Sequence, residues 1–139
     1  MPKAYFCKLE RREKAPQLCR LAESWLEQGK RVLVLVADEN QAVTLDRFMW
    51  TWNKGSFIPH ACDNDAVECH DEPVVISWRE RNINNATVVV LGRPAGENFL
   101  AGFETIVDFA ETHAPEALAA SRARFRAYRE AGFEPEMLE

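Results

Sequence analysis

Apolar and polar positions repeat at two different spacings in the first part of the chain. Residues 4–9 alternate loosely, which predicts a first strand. Gly29 stands where a helix commonly ends, and the nearly continuous apolar run 31–37 predicts a strand buried on both faces. Between them, beginning at Pro16, apolar side chains repeat along one helical stripe: Leu18, Leu21, Ala22, Trp25 and Leu26. This succession is typical of a parallel sheet covered by helices.

A second helix is predicted directly after the buried strand. Asp38 or Asn40 can cap its first turn, and the segment breaks near 50–53. Its apolar positions again repeat at helical spacing: Ala42, Leu45, Phe48 and Met49. The polar and acidic segment 61–73 predicts a loop.

Short apolar segments dominate the second half of the chain. Three of them predict strands, at 74–78, 87–91 and 105–109. A helix is predicted over 116–131, with Gly132 at its C-terminal end. The order β-α-β-α-β-β-β-α predicts a single α/β domain over 1–133, in which helices flank a mostly parallel, mixed sheet. A short acidic tail is predicted at 134–139.

Composition and charge narrow the class of protein. The 139 residues carry a net charge of −5, which argues against a protein that coats nucleic acid through bulk positive charge. The longest apolar run is too short to span a bilayer, and residues 1–7 lack the pattern of a signal peptide. We therefore expect a cytoplasmic protein without a membrane partner, whose four cysteines stay reduced.

The strand–helix turns lack the glycines that phosphate binding requires. The first turn, at 10–15, and the second, at 38–40, contain none, so the fold is predicted to be Rossmann-like without a phosphate loop. The glycine loop 92–96 is followed by Glu97, where a phosphate loop needs lysine. No cofactor is expected. A degenerate nucleotide-binding enzyme of α/β fold stays open as an alternative on fold class alone.

A cluster of possible zinc ligands suggests the other alternative, a small zinc-binding protein. The cluster lies within eleven positions and consists of His60, Cys62, Cys69 and His70. Its spacing lacks two short ligand turns separated by a longer arm, so a polar loop without metal is favoured. Ser77 lies in a predicted strand rather than at an exposed turn, and no group of residues supports catalysis.

Aromatic side chains concentrate where the second helix ends. Trp50, Trp52 and Phe57 fall within eight residues, and the two tryptophans cannot face the same side of a helix. They can form an exposed hot spot for a protein partner or fill the core, and the pattern favours neither. Stacking on single-stranded nucleic acid is a third option, supported only by the nearby Arg47 and Lys54.

The last predicted helix carries regularly spaced arginines. Arg122, Arg126 and Arg129 stand at i, i+4 and i+7, so they share one helical face. An apolar strip can form alongside from Leu118, Phe125 and Tyr128. Such a face can bind an acidic peptide that ends in a hydrophobic residue. Spacing alone favours the alternative, an ordinary solvated face.

Several sequence blocks resemble the chi subunit family of bacterial DNA polymerase III holoenzyme. The resemblance begins with GKRVL at 29–33 and DENQA at 38–42, and it resumes with VDF at 107–109. The most specific block is RFRAYREAGF at 124–133. The family implies an α/β fold without a working phosphate site and a non-catalytic accessory role in the clamp-loader assembly. One surface would bind the psi subunit, and another the acidic C-terminal tail of single-stranded DNA-binding protein.

The resemblance also implies which residues would contact each partner. Trp50, Phe57, Pro59 and His60 match the region that contacts psi. The residues that match the tail-binding region and its neighbours are Arg122, Phe125, Arg126, Tyr128 and Arg129. The chain departs from the family at Leu118, where some relatives have lysine, and at Phe125, where tyrosine is familiar. Contact with DNA would be indirect, at the replication fork in the bacterial cytoplasm.

Overall fold

Strands and helices alternate along most of the chain. The structure, a computed structural model, describes residues 1–53, 55, 57–65 and 67–138. The strands are β1 (Lys3–Leu9), β2 (Val32–Leu35), β3 (His60–Cys62), β4 (Val74–Ser77), β5 (Val88–Leu91), β6 (Thr105–Glu111) and β7 (Glu134–Leu138). The helices are α1 (Ala15–Glu27), α2 (Glu39–Thr51), α3 (Glu97–Leu100) and α4 (Pro115–Glu130), and a 3-10 helix spans Val67–Asp71.

These strands form one sheet with the order β3-β4-β2-β5-β6-β1-β7. Every described pairing in it is parallel. Helices α1 and α2 pack on one face, against alternate residues such as Val32 and Val34. Helices α3 and α4 cover the other face, where Leu33 and Leu35 point. The continuous apolar run of β2 is therefore buried on both sides, as its sequence predicts. The predicted Rossmann-like α/β class is confirmed.

Local sequence signals explain where the helices begin and end. Asp38 caps α2, because its Oδ1 accepts a hydrogen bond of 2.8 Å from the backbone N–H of Gln41. Gly29 follows α1 with a φ of +79°, a conformation that a side chain disfavours. The N-terminal cap of α2 and the C-terminal end of α1 thus match the sequence predictions.

The predicted antiparallel pairing is wrong. The segment 78–87 between β4 and β5 is long enough to return the chain to the opposite end of the sheet, so β5 runs parallel to its neighbours. The predicted loop at 61–73 contains part of β3 and the 3-10 helix. Strand β3 is too short to leave a periodic signal.

The predicted acidic tail also needs correction. Its first five residues form β7, which pairs in parallel with β1 and closes one edge of the sheet. Glu139 lies outside the described residues. No helix in the described part of the chain combines the length and hydrophobicity needed to cross a membrane.

Candidate functional site

One arginine of α4 is half-buried and points towards the sheet. Arg124 donates from Nε to Oδ2 of Asp108 at 2.9 Å and from Nη2 to Oδ1 at 3.2 Å. The same Nη2 lies 3.4 Å from Oε2 of Glu111. Burial alone would lower the pKa of Arg124, but the charge and hydrogen bonds of Asp108 raise it above its ordinary value. This forked ion pair clamps α4 onto β6.

Tyr128 shares the same buried carboxylate. Its side chain is 4% exposed, and its hydroxyl donates to Oδ2 of Asp108 at 2.7 Å. Burial, followed by the charge of Asp108, raises the pKa of Tyr128 well above its ordinary value. The ring packs against Phe6 and Phe133. The structure therefore places Tyr128 in the core, and not on the surface expected from the family resemblance.

The outer face of α4 carries the remaining arginines of the predicted face. Arg122, Arg126 and Arg129 are exposed. The ion pairs that α4 makes with other described residues all belong to Arg124. The guanidinium of Arg129 lies 5.1 Å from the centre of the Phe125 ring. The outer face thus presents positive charge that no described carboxylate neutralises.

A shallow groove lies beside this face, and we call it the α4 groove. Its volume is about 190 Å³, below the roughly 300–1,000 Å³ of common small-molecule pockets and suited to a single side chain. Phe125 forms one wall and packs on Phe6, with ring centres 5.2 Å apart. The lining residues are Phe6, Ala110, Leu118, Ser121, Arg122, Phe125 and Met137. Arg122 brings the one charged side chain among them.

Sequence reasoning missed several residues of the α4 groove. Met137 reaches it from β7, the strand predicted to be a tail. Phe6 reaches it from β1, far away in sequence. The apolar residue within an acidic segment is the only signal that could have identified Met137. No local signal identifies Phe6, because the contact depends on the pairing of β1 with β7.

The second predicted surface is exposed. Trp50 is 51% exposed and Phe57 is 72% exposed, and their ring centres lie 5.6 Å apart. We call this pair the aromatic surface. Trp52 is half-buried and packs at the edge of the core, so the cluster divides between surface and interior. Lys54, which the stacking alternative invoked, lies outside the described residues.

His60 packs against Trp50 of the aromatic surface. The imidazole of His60 is buried, and its centre lies 4.4 Å from the Trp50 ring. Its Nδ1 lies 2.7 Å from the carbonyl oxygen of Ile58, and its Nε2 lies 3.2 Å from Oδ1 of Asp46. Pro59 is half-buried. Of the residues predicted at this surface, only Trp50 and Phe57 are well exposed.

Two cysteines of the candidate zinc cluster and Ser77 are largely withdrawn from solvent. No group of three His, Cys, Asp or Glu side chains in the described part of the chain could hold a metal ion. Burial raises the pKa of Cys62 to about 11, which keeps this thiol protonated at neutral pH. Ser77 is buried and donates to Oδ2 of Asp63 at 2.9 Å. It is therefore a structural hydrogen-bond donor.

The start of α2 is also unsuited to phosphate. In nucleotide-binding α/β proteins the N–H groups at a helix start receive the phosphate. Here the carboxylate of Asp38 already accepts one of them, from Gln41. The neighbouring Glu39 adds a second negative charge. The sequence lacks a phosphate loop at this turn, and the carboxylate of Asp38 occupies the position at the helix start where a phosphate would bind.

The two exposed surfaces lie far apart on the sheet. The aromatic surface follows α2, which packs near β3 and β4, whereas α4 packs near β6 and β7. About four strand spacings, roughly 20 Å, separate these regions, and the two helices lie on opposite faces. The molecule is thus an open, parallel α/β protein without a glycine-rich phosphate loop. Its described part carries two exposed surfaces, the aromatic surface and the outer face of α4.

Comparison with known proteins identifies the family. The sequence profile described as DNA polymerase III chi subunit, HolC, matches residues 1–136. The chain belongs to this family of DNA polymerase III subunits.

Individual relatives agree with this assignment. The chain is 32% identical over 117 residues to DNA polymerase III subunit chi of Escherichia coli (strain K12), covering 84% of this chain and 78% of that protein. It is 30% identical over 115 residues to the subunit of Pseudomonas aeruginosa, covering 83% and 78%. The C-terminal domain of the DEAD-box protein Dbp5 matches with a TM-score of 0.60 and 10% identity, over 98% of this chain and 90% of that one. That match shows a similar fold alone.

Proposed function

We propose that this chain is a non-catalytic accessory subunit of the clamp-loader assembly that bridges two partners. The aromatic surface would bind the psi subunit. The outer face of α4 and the α4 groove would bind the acidic C-terminal tail of single-stranded DNA-binding protein. The subunit would thereby couple the polymerase to coated template in the bacterial cytoplasm without touching DNA itself.

The observation that carries this proposal is the charge and shape of the α4 groove. Residues 116–133 hold a net charge of +2, and the rest of the chain holds −7. Arg122 stands in the groove and Arg126 is exposed one turn further along. Guanidinium groups bind carboxylates through paired hydrogen bonds. An aspartate-rich peptide could place its carboxylates on these arginines and a terminal apolar ring against Phe125.

The aromatic surface suits a different kind of partner. Trp50 and Phe57 expose large rings side by side, and the buried imidazole of His60 fixes the position of Trp50. Rigid exposed aromatics of this type commonly dominate the binding energy of protein interfaces. Its separation from α4 would leave both partners bound at once. The acidic remainder of the chain would repel DNA phosphates.

Fluorescence anisotropy with an acidic peptide that ends in phenylalanine tests the α4 groove. We expect Arg122→Ala and Arg126→Ala each to weaken binding about tenfold, because each removes a charge-assisted hydrogen bond. Arg47→Ala is the matched control, since Arg47 is an exposed arginine on α2. If both groove variants bind the peptide as tightly as the parent at low salt, the proposed pocket is wrong.

Affinity capture tests whether the two surfaces serve different partners. We expect Trp50→Ala to lose psi and keep single-stranded DNA-binding protein, because only the aromatic surface is altered. Arg122→Ala should show the opposite pattern. Loss of the same partner by both variants would contradict a bridge built from two separate surfaces.

A further inference from the structure

A cavity of about 490 Å³ opens at the carboxyl end of the sheet, and we call it the carboxyl-end pocket. Residues at or after the ends of β1, β2, β5 and β6 line it. Strand β2 leads into α2 on one face, and its neighbour β5 leads into α3 on the other. Such a switch point is where open α/β sheets bind ligands, and the volume falls within the usual range of roughly 300–1,000 Å³.

The inner surface of the carboxyl-end pocket is apolar. Leu18 of α1 and Leu45 of α2 are buried side chains that contribute to it, together with Val36 after β2. Phe48 forms an outer wall and remains 37% exposed. This lining suits the apolar body of a ligand of modest size.

The opposite wall carries a surplus of positive charge. Arg12 and Lys14 line the pocket together with one carboxylate, Glu111. Lys14 Nζ lies 3.1 Å from the carbonyl oxygen of Gly92 and 3.6 Å from Oε1 of Glu111. His113 Nε2 lies 3.3 Å from the same carboxylate oxygen. The wall therefore holds a net charge of +1 with His113 neutral, on a chain whose net charge is −5.

Glu111 stays charged in these ion pairs. The positive charge of the wall is therefore too small to balance a polyanion. Burial alone would raise the pKa of Glu111, but its hydrogen bond with His113 and the charges of Lys14 and Arg124 lower it below the ordinary value. The capping carboxylate of Asp38 further opposes a chain of phosphates. The net charge of +1 on the wall can balance one anionic group on a ligand.

We propose that the carboxyl-end pocket binds a small monoanion in which a carboxylate is attached to an apolar body. The carboxylate would face Arg12 and Lys14, and the apolar body would lie over Leu18, Leu45 and Phe48. Such a group can come from a free organic acid or from the carboxyl-terminal residue of a peptide. The site shares no lining residue with the α4 groove, so the inference does not rest on the bridging function.

Amide NMR spectra of the full chain, titrated with phenylbutyrate, test this site. We expect saturable shifts around Leu18, Leu45 and Gly92, and binding at least about tenfold weaker for the uncharged phenylbutyramide, which cannot accept charge-assisted hydrogen bonds. Thr44→Trp should abolish the shifts by filling the pocket, since Thr44 is an exposed lining residue. Val43→Trp, at the neighbouring exposed position outside the lining, should preserve them.

Arg12→Gln provides a second variant, because Arg12 is exposed and its replacement leaves the core intact. It should weaken phenylbutyrate several-fold and leave phenylbutyramide unchanged. Equal affinities for the two probes, shifts confined to the α4 groove, or no saturation below about 10 mM would overturn the proposal. A short neutral peptide ending in phenylalanine, tested in an Arg122→Ala background, distinguishes the sources. Tighter binding than phenylbutyrate would indicate a peptide terminus, and weaker binding a free acid.

Discussion

Arginines stand on both the inner and the outer face of α4, but their surroundings differ. Arg124 is half-buried and forked onto the buried carboxylate of Asp108. Arg122 and Arg126, two positions to either side, are exposed and make no ion pair with a described carboxylate. A rotation of about 200° along the helix separates each of them from Arg124. The run of arginines therefore combines one structural clamp on the inner face of α4 with exposed charges on its outer face.

The largest expected effect concerns the clamp. We expect Arg124→Ala to lower the free energy of unfolding by about 3 kcal/mol, because it leaves the buried Asp108 carboxylate without its counter-charge. Arg126→Ala should change it by less than about 0.5 kcal/mol. Urea denaturation of both variants measures the contrast, and similar losses would remove the distinction between the faces.

Tyr128→Phe tests the same distinction between the two faces with a smaller change, because it keeps the aromatic ring and removes only the hydroxyl. The change removes the hydroxyl that donates to Asp108, so we expect a loss of stability of about 1 kcal/mol. Affinity for the acidic peptide should stay unchanged, because Tyr128 is buried. A weaker affinity for the acidic peptide with unchanged stability would show that Tyr128 contacts the peptide.

Salt should separate the outer face from the aromatic surface. Raising the salt concentration from about 0.05 M to 0.5 M should weaken the acidic peptide several-fold, because exposed arginines are readily screened. The proposed binding of psi at Trp50 and Phe57 should change little, since those rings are uncharged. Anisotropy titrations of the two partners at both salt concentrations test this, and parallel losses would count against the proposed division of partners.

The smallest expected effect lies in the pH dependence of Glu111, which Arg124 also contacts. Its pKa is lower in the folded protein than in the unfolded chain, so its contribution to stability is present above the ordinary glutamate pKa. That contribution is lost as pH falls through the folded pKa. Glu111→Gln should therefore be less stable than the parent at neutral pH, with the difference narrowing towards about pH 3. Urea denaturation at both pH values measures it, and a constant difference would contradict this assignment.

The two faces of α4 also differ in how well the sequence predicts them. The spacing of Arg122, Arg126 and Arg129 correctly predicts a shared exposed face, because helical periodicity alone determines it. The inward position of Tyr128 depends on Asp108, which lies on another strand. Such a long-range pairing leaves no mark in the local pattern.

The strands show a similar limit. The run that forms β2 is apolar throughout, and its sequence predicts both its type and its burial. Strand β7 has two glutamates and a proline among its five residues and lacks β-branched residues, so nothing in its pattern indicates a strand. It forms because β1 offers an open row of backbone groups. Apart from its place as an apolar residue in an acidic segment, nothing in the local pattern therefore predicts the contribution of Met137 to the α4 groove.

Strand β7 has a consequence for how copies of the protein behave at high concentration. The outer edge of a sheet offers unpaired backbone groups that can add a strand from another molecule and start aggregation. Glu134 and Glu136 place negative charges along this edge, and Pro135 removes one hydrogen-bond donor. Because Glu136 is paired with Lys3 at 3.4 Å, the repulsion between two such edges comes mainly from Glu134. The acidic segment that resembles a tail thus helps to keep the sheet from growing into a neighbouring molecule.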